Sequence, residues 1–286
     1  MRIHLHIPRT ELRPFVEYIW VLDSTPGRET HFPRIPPFGE VELAFHVQDP
    51  FQYQDLAQSP RSVPAAHISG PRTRYFDLLP GDRVGFLSVR FRPGAYHYFY
   101  PGSLAELTNN VIALEDLHGP EILFTLERIR EARDTATRIG IIEEYLMECL
   151  RSRESPDLFI QGAMSGLTRS ILTETAAEPG IAFESGGRAT DFLAESLGLS
   201  RRTFQRRFKN AFGMSARDYR RLLRFEAMLK DTLRRRAAGD HAELGEQALR
   251  FGWFDQSHFN KDFREYMGLA PSDFLRSHGD GLIAIV

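Results

Sequence analysis

The stretch Gly198–Gly213, GLSRRTFQRRFKNAFG, determines how the C-terminal half of this chain is interpreted. Ser200 is the expected N-cap of a helix, because its hydroxyl can accept a hydrogen bond from an N–H group of the first turn. Phe204 and Phe208 are four residues apart and therefore share one helix face, which Phe212 extends. The pattern predicts a short amphipathic helix with a buried aromatic face and a basic outer face.

The outer face of this helix has the chemistry of a DNA-reading surface. Arginine forms paired hydrogen bonds with guanine, glutamine does the same with adenine, and further cations bind phosphates. A solvated cationic face explains the helix alone equally well. The neighbourhood favours DNA, because Arg201–Arg236 carries 13 Lys and Arg against three Asp and Glu, whereas the whole chain has a net charge of −2. Such a positive band indicates a directed anionic partner.

A second copy of the pattern follows 54 to 55 residues later. In the first copy a helix ending at Gly198 precedes the basic one, and the two form a helix-turn-helix unit over 190–211, in which the small Ala194 permits a close crossing. The repeat predicts a second unit over 241–265 with Asp255 as its N-cap. The matched positions are Ala194 and Ala248, Gly198 and Gly252, Phe204 and Phe259, Phe208 and Phe263, and Gly213 and Gly268. Two units in one chain leave the solvated face as the weaker explanation.

The segment between the units, Ser215–Arg236, is predicted to form one long helix. Its 22 residues span about 33 Å at the rise of an α-helix. Successive major-groove faces on one side of B-DNA lie ~34 Å apart. A single chain is therefore expected to read two adjacent major-groove segments without dimerising.

The first half of the chain has the alternation and the turn signals of β-structure. Strands are predicted over Phe15–Leu22, Val41–Val47 and Val84–Phe91, and frequent Pro and Gly between them indicate a small β-sandwich or barrel in residues 1–100. The second strand alternates apolar with polar or small residues, which is the period of a half-buried strand. The aromatic run Tyr96–Tyr100 is interpreted as a corner of the core rather than the lining of a pocket.

Helices follow over Ala113–Leu117, Glu121–Glu131 and Thr135–Arg151. The last carries an apolar stripe that includes Ile142 and Leu146, and we interpret it as a self-association surface, with packing on the β-domain as the alternative. Further helices are predicted over Asp157–Thr175 and, capped by Thr190, before the first turn. The predicted fold class is α+β, with these parts: a regulatory or dimerisation domain over 1–155, β-rich over 1–100 and helical over 104–151, an all-α DNA-binding domain over 156–278, and a tail over 279–286.

The motifs together resemble those of the AraC/XylS-type transcriptional regulators. LAESLGLSRRTFQRRFKNAFGMSARDY is similar to the first half of their DNA-binding domain, and ALRFGWFDQSHFNKDFREYMGLAPSDF to the second. The runs PPFGEVELAFHV, SGPRTRYFDL and VRFRPGAY are similar to the regulatory domain of a less-studied branch of that family. The resemblance implies a seven-helix domain that places both recognition helices in the major groove of promoter DNA.

The resemblance also implies which residues touch DNA. The base-reading candidates are Arg202, Gln205, Arg206, Gln256, Ser257, Asn260 and Lys261. The phosphate-contacting or packing candidates are Ser200, Thr203, Arg207 and Lys209. The chain departs from the pattern at Gln247, where an apolar residue is usual, and at Gly245. Both departures are expected to weaken the first helix of the second unit.

The main alternative is a metal-dependent, cupin-like enzyme or sensor fused to a DNA-binding module. His4, His6 and Glu11 have a cupin-like spacing, and Gly94 with His97 can be imagined as the second motif. The case is poor, because both histidines lie at the start of the chain and no strand precedes them. His31, His46 and His67 have no ligand spacing and are expected at the surface or in the core. The sequence has no nucleophile elbow, phosphate loop or dinucleotide fingerprint, so we predict no catalytic residue, metal or cofactor.

The remaining features restrict the class of protein. The single cysteine, Cys149, excludes an internal disulfide and a cysteine-based zinc cluster. Neither a signal peptide nor a run of membrane-spanning length is present, so a cytoplasmic protein without a membrane partner is expected. The expected partner is double-stranded promoter DNA. RNA polymerase, a small-molecule effector and a second copy of the chain are further candidates, and no residue is assigned to an effector.

Overall fold

The computed structural model describes residues 2–23, 34–55, 59–151, 159–160, 162–163, 191, 193–240 and 244–278. The strands are β1 Arg2–His6, β2 Val16–Asp23, β3 Glu42–His46, β4 Gln52–Gln54, β5 Arg61–Ser62, β6 Ala66–Ser69, β7 Asp77–Leu79, β8 Gly85–Phe91 and β9 Val111–Ala113. They form a six-stranded antiparallel sheet in the order β1-β2-β8-β3-β6-β9 and a three-stranded sheet in the order β5-β4-β7.

The large sheet has a separate core on each face, because side chains alternate along every strand. On one face Leu43 and Val89 pack against helices. On the other face Phe86 packs with Phe51 and Val63, which lie beside the strands of the small sheet. The predicted small β-sandwich with following helices, and with it the α+β class, is confirmed.

The prediction of a half-buried β3 is wrong. Ala44 is 8% exposed and His46 is 0% exposed, although both lie on the face opposite Leu43. The small sheet covers this face, so the polar positions of β3 lie inside the sandwich instead of in water. Alternation along one strand distinguishes its two faces but does not show whether a second sheet covers the more polar face.

Helices cover the remaining face of the large sheet. They are α1 Leu104–Leu107, α2 Leu114–His118, α3 Ile122–Glu131 and α4 Thr135–Arg151. Ile142 and Leu146 are fully buried in the same core as Val89. The interpretation of this stripe as a self-association surface is therefore wrong, since packing within the chain accounts for its apolar residues.

The aromatic run after β8 forms a corner of the core, as predicted. Tyr96 and Phe99 are buried and pack on Phe91. The hydroxyl of Tyr96 lies 2.6 Å from Nε2 of His118, and that of Tyr145 lies 2.9 Å from its Nδ1. These hydrogen bonds connect the corner to α2 and α4.

The described part of the C-terminal half is helical. Its helices are α5 Arg201–Phe212, α6 Ala216–Ala237, α7 Leu244–Arg250, α8 Gln256–Met267 and α9 Pro271–His278. The predicted long connecting helix is confirmed as α6. The helix predicted over 157–175 lies outside the described residues except for helical positions 159, 160, 162 and 163, and so do Thr190 and the tail. Within the described chain, none of the helices combines the length and the apolar character needed to cross a membrane.

Candidate nucleic-acid interface and interior cavity

The basic helix α5 is held by the contacts that its sequence predicts. The hydroxyl of Ser200 accepts a hydrogen bond from the backbone N–H of Thr203 at 3.2 Å, so Ser200 is the N-cap. Phe204, Phe208 and Phe212 are all 0% exposed and stack along the inner face. Because the aromatic stripe fixes the rotation of the helix, its Arg, Gln and Lys side chains lie on the outer face.

The second unit repeats this geometry. Leu199 N–H donates to the carbonyl of Ala194 at 2.9 Å in the first turn, and Trp253 N–H donates to that of Ala248 at 3.1 Å in the second. Asp255 caps α8 by accepting from the N–H of His258 at 2.7 Å. Helices α5 and α8 both have 12 residues, and both end at a glycine in the left-handed conformation. The internal repeat is therefore a structural repeat.

Most of the predicted DNA-contacting side chains lie on the exposed face of a recognition helix or at its N-terminus. Thr203, Arg207 and Asn260 are half-buried, and the guanidinium of Arg207 lies 4.4 Å from the centre of the Phe159 ring, which gives it a packing contact. The exposed candidates are Ser200, Arg202, Gln205, Arg206, Lys209, Gln256, Ser257 and Lys261. The structure thus brings the predicted set together as two short basic or polar surfaces.

A buried ionic contact anchors the second recognition helix. Asp262 of α8 is 2% exposed and accepts hydrogen bonds from Nε1 of Trp253 at 3.0 Å and from Arg221 at 2.9 Å. Arg224 of α6 also reaches Asp262 at 3.4 Å and donates to the carbonyl of Gly252 at 2.9 Å. These bonds tie the turn, the recognition helix and the connecting helix together.

One of the two departures from the family pattern has a local explanation. Gln247 is 2% exposed, and its Oε1 accepts a 2.6 Å hydrogen bond from the hydroxyl of Thr232. A Cβ atom at Gly245 would lie 3.4 Å from Cδ of Gln256, which is ordinary van der Waals contact, so packing does not explain the glycine. The helix that was expected to be weakened forms over Leu244–Arg250.

Phe254 is a surface residue that the sequence analysis did not single out. It occupies the extra position in the second turn and is 88% exposed, directly before Asp255 and α8. The change of repeat offset from 54 to 55 residues between Gly252 and Asp255 marks this insertion. An apolar ring at the start of a recognition helix is suited to contact a thymine methyl group.

Comparison with protein families identifies this half of the chain. Residues 193–277 match the family model described as a helix-turn-helix domain. Residues 193–277 are an AraC-type helix-turn-helix domain. Residues 4–113 match a second model, described as a domain of unknown function. The first match covers both structural repeats, and the second covers the β-sandwich.

Solved structures similar to the chain include ToxT from Vibrio cholerae. An apo single-residue variant from strain SCE256 is 11% identical, covers 91% of this chain and 97% of its own, and has a TM-score of 0.45. Wild-type ToxT of the same strain, described as bound to an unsaturated fatty acid, is 12% identical, with 96% and 97% coverage and a TM-score of 0.42. A search of curated proteins finds no match.

Both recognition helices of the AraC-type domain end against the N-terminal half. The hydroxyl of Thr108 donates to the carbonyl of Gly213, after α5, at 2.8 Å. The backbone N–H of Tyr75 donates to the carbonyl of Tyr266, near the end of α8, at 2.9 Å. A side chain at Gly268 would lie 2.2 Å from the Tyr75 ring, so the contact requires glycine. The N-terminal half therefore touches both recognition helices at their C-terminal ends.

A cavity lies between the two sheets of the sandwich. Its volume is about 90 Å³. This is room for several waters, since each one needs roughly 10–15 Å³. Six aromatic rings line it, namely those of Tyr18, Trp20, Phe38, Phe51, Phe76 and Phe86. A cavity of this kind, mostly apolar with a few polar groups, is typical of small-molecule sites.

Two stacked histidines lie on the cavity wall. The rings of His46 and His67 are 5.2 Å apart and nearly parallel. Burial lowers the pKa of His46 to about 3 and that of His67 to about 4, so both are neutral at pH 7. Within the described part of the chain, no group of three or more His, Cys, Asp or Glu side chains is placed to hold a metal ion.

Arg90 links the interior cavity to the AraC-type domain. Its guanidinium donates to Glu40 at 2.8 Å and to Glu42 at 3.1 Å, and it lies 5.1 Å from the centre of the Phe38 ring. Arg90 and Phe38 also line a second cavity, whose far wall includes Glu226 of α6. Burial and the nearby Glu40 raise the pKa of Glu226 to about 8. One arginine thus borders both the interior cavity and the contact between the two halves.

Proposed function

We propose that this protein is a sequence-specific transcription regulator whose single chain reads two adjacent major-groove segments of promoter DNA. The observation that carries the proposal is the structural repeat, in which two recognition helices of equal length are joined by the 22-residue helix α6. The length of α6, about 33 Å, agrees with the ~34 Å between successive groove faces.

The two recognition helices have different roles in this proposal. Helix α5 supplies more of the affinity through Arg202, Arg206 and Lys209, because cations neutralise phosphates and arginine also pairs with guanine. Helix α8 supplies discrimination through Gln256 and Asn260, whose amides suit the edge of adenine. The Ser257 hydroxyl and the Lys261 ammonium extend the polar surface of α8, and Gln205 adds an amide to α5.

A small molecule in the β-sandwich controls this DNA binding. Support comes from the shared wall of the two cavities, because Arg90 and Phe38 border both the interior space and the contact with α6. A ligand that moves either side chain also shifts the loop at Gly39, whose backbone N–H donates a hydrogen bond to Glu226. The protein acts in the cytoplasm, where promoter DNA and RNA polymerase are its partners.

The salt dependence of binding tests the DNA-binding proposal. Fluorescence anisotropy with duplex DNA from the region upstream of the protein's own gene gives the affinity at each salt concentration. With on the order of six phosphate contacts, the affinity for DNA should fall about a thousandfold between roughly 50 and 200 mM salt. Affinity for this DNA that is independent of salt, or equal to that for unrelated duplex, would overturn the proposal.

A further inference from the structure

The interior cavity contains buried polar atoms that have no hydrogen-bond partner within the described part of the chain. They are Nε1 of Trp20, both ring nitrogens of His46, and Oγ of Ser88. His46 is 0% exposed and Ser88 is 1% exposed, and all three residues line the same cavity. Native proteins leave few buried polar atoms unpaired, because each one destabilises the fold. A cluster of them around one space indicates a bound molecule that satisfies them.

The unpaired atoms specify the hydrogen bonds that a ligand must make. The indole nitrogen of Trp20 is only a donor, and the hydroxyl of Ser88 is both a donor and an acceptor. His46 is neutral, since burial lowers its pKa to about 3, and a neutral imidazole offers one donor and one acceptor. A matching ligand therefore carries at least one acceptor and one donor on its edge.

The walls specify the shape of the ligand. The rings of Trp20 and Phe86 lie 4.7 Å apart, edge to face, and those of Phe51 and Phe86 lie 4.9 Å apart in the same arrangement. Phe38 and Phe76 close the space from another side. Ring-lined walls favour a flat aromatic molecule, which can contact them by stacking and by edge-to-face packing.

The charges around the cavity disfavour an ionised ligand. Arg90 already binds Glu40 and Glu42, so its guanidinium is neutralised within the chain. The Glu42 carboxylate itself borders the cavity and would repel an anion. A second buried cation, Arg72, lies 4.2 Å from the centre of the Phe76 ring and is outside the cavity lining. A cation would have to compete with Arg90 for the Glu42 carboxylate and would gain nothing from the neutral His46.

We propose that this cavity binds a neutral, planar aromatic molecule that carries an acceptor and a donor on one edge, such as an aromatic amide. The bound edge contacts Trp20, His46 and Ser88, and the ring lies among the aromatic walls. This inference rests on the proposed control of the protein by a small molecule, and it names the chemical class of that molecule.

Four matched probes test the class directly. Benzamide is neutral and planar, benzoate and benzamidine have the same shape with a negative or a positive charge, and cyclohexanecarboxamide has the same amide on a saturated ring. The full chain contains two tryptophans, so labelling with 5-fluorotryptophan gives one fluorine NMR signal in the cavity, from Trp20, and one in the DNA-binding domain, from Trp253. A Trp20→Phe variant assigns the signals.

Benzamide is expected to shift the Trp20 signal saturably and to leave the Trp253 signal unchanged. Its affinity should exceed that of each other probe by about tenfold, the equivalent of about one hydrogen bond to a buried group. Absence of a saturable shift, or equal or tighter binding of any of the other three probes, would overturn the proposal. If that happens while the same preparation binds upstream DNA normally, the proposed ligand class is wrong and the proposed DNA binding stands.

Two variants separate a binding role from a folding role. His46→Phe and Ser88→Ala each remove unpaired polar atoms, so the ligand-free protein should keep or increase its Tm. Both variants should bind benzamide about tenfold more weakly than the wild type. If the polar atoms served only the fold, each variant would lower Tm and retain the affinity for benzamide, which would contradict the proposal.

Discussion

The backbone N–H of Gly39 donates a hydrogen bond to Oε1 of Glu226 at 3.1 Å. This bond joins the loop before β3 to the middle of the connecting helix α6. The carboxyl group lies close to Glu40, Arg90 and Lys230. A titratable group thus lies in the contact between the β-sandwich and the DNA-binding domain.

The stability of the protein is expected to fall as the pH rises from about 6.5 to 8. Burial raises the pKa of Glu226 from 4.5 to about 8 in the folded state, so the folded protein holds this proton more tightly than the unfolded chain. Its contribution is therefore complete below about pH 4.5 and is lost as the pH rises through about 8. The buried histidines act in the opposite direction only below about pH 6.5, since their pKa values are lowered.

Glu226→Gln tests this assignment, because the amide keeps the acceptor for Gly39 and cannot ionise. Chemical denaturation at several pH values should show a flatter profile between pH 6.5 and 8 in the variant than in the wild type. Glu148→Gln, at an exposed position of α4, is the matched control and should retain the wild-type profile. Equal slopes in the wild type and Glu226→Gln would contradict the assignment.

Gly39 is also expected to be intolerant of a side chain. A Cβ atom there would lie 2.6 Å from Cε2 of Tyr219, a fully buried ring of α6. Gly39→Ala should therefore lower the free energy of unfolding by about 1–3 kcal/mol, as overpacking does. Gly140→Ala serves as the control, because no atom lies within 4 Å of its Cβ position in α4 and alanine favours a helix. A Gly39→Ala variant as stable as the wild type would exclude this close contact.

The pair Thr232 and Gln247 is expected to behave as a unit. Thr232→Val keeps the shape of the side chain and leaves the buried Gln247 amide without its 2.6 Å partner, which should lower stability by about 1–3 kcal/mol. The double variant Thr232→Val, Gln247→Leu removes both polar groups and should recover most of the loss. Additive effects in this double-mutant cycle would show that the two side chains do not interact.

These buried pairs mark the limit of what sequence patterns reveal. Helical spacing of Phe204 with Phe208, and of Phe259 with Phe263, was enough to predict both recognition helices and their caps, because the capping residues and the apolar stripe act locally. The same patterns treated Gln247 as a defect, since the partner hydroxyl lies 15 residues away on another helix. A local periodicity cannot show a contact that only the tertiary fold creates.

The interior cavity was missed for a related physical reason. His46 follows the alternation of β3, and this alternation correctly separates it from Leu43 and Phe45. It does not show that the short strands of the small sheet cover the polar face. The stripe on α4 presents the same difficulty, since an apolar face predicts burial without identifying its partner as the sandwich or a second chain.

Phe254 is expected to affect DNA affinity without affecting the fold. At 88% exposure, its replacement by serine should change the free energy of unfolding by less than about 0.5 kcal/mol. Loss of an apolar contact at the start of α8 should weaken DNA binding about fivefold, equivalent to about 1 kcal/mol. Phe124→Ser is the matched control, because Phe124 is 74% exposed on α3 in the N-terminal half. Equal DNA affinity of the two variants would exclude a role for Phe254.

The affinity of an Arg202→Ala, Arg206→Ala variant for upstream duplex DNA tests the central claim most directly. Both side chains are exposed on α5, so the variant should remain folded. Loss of two arginine contacts should weaken binding at least about 30-fold, taking about 1 kcal/mol or more for each. Arg61→Ala, Arg133→Ala removes the same charge from exposed positions of the N-terminal half and should bind nearly as the wild type does. Undiminished DNA binding by the Arg202, Arg206 variant would contradict the assignment of α5 as a recognition helix.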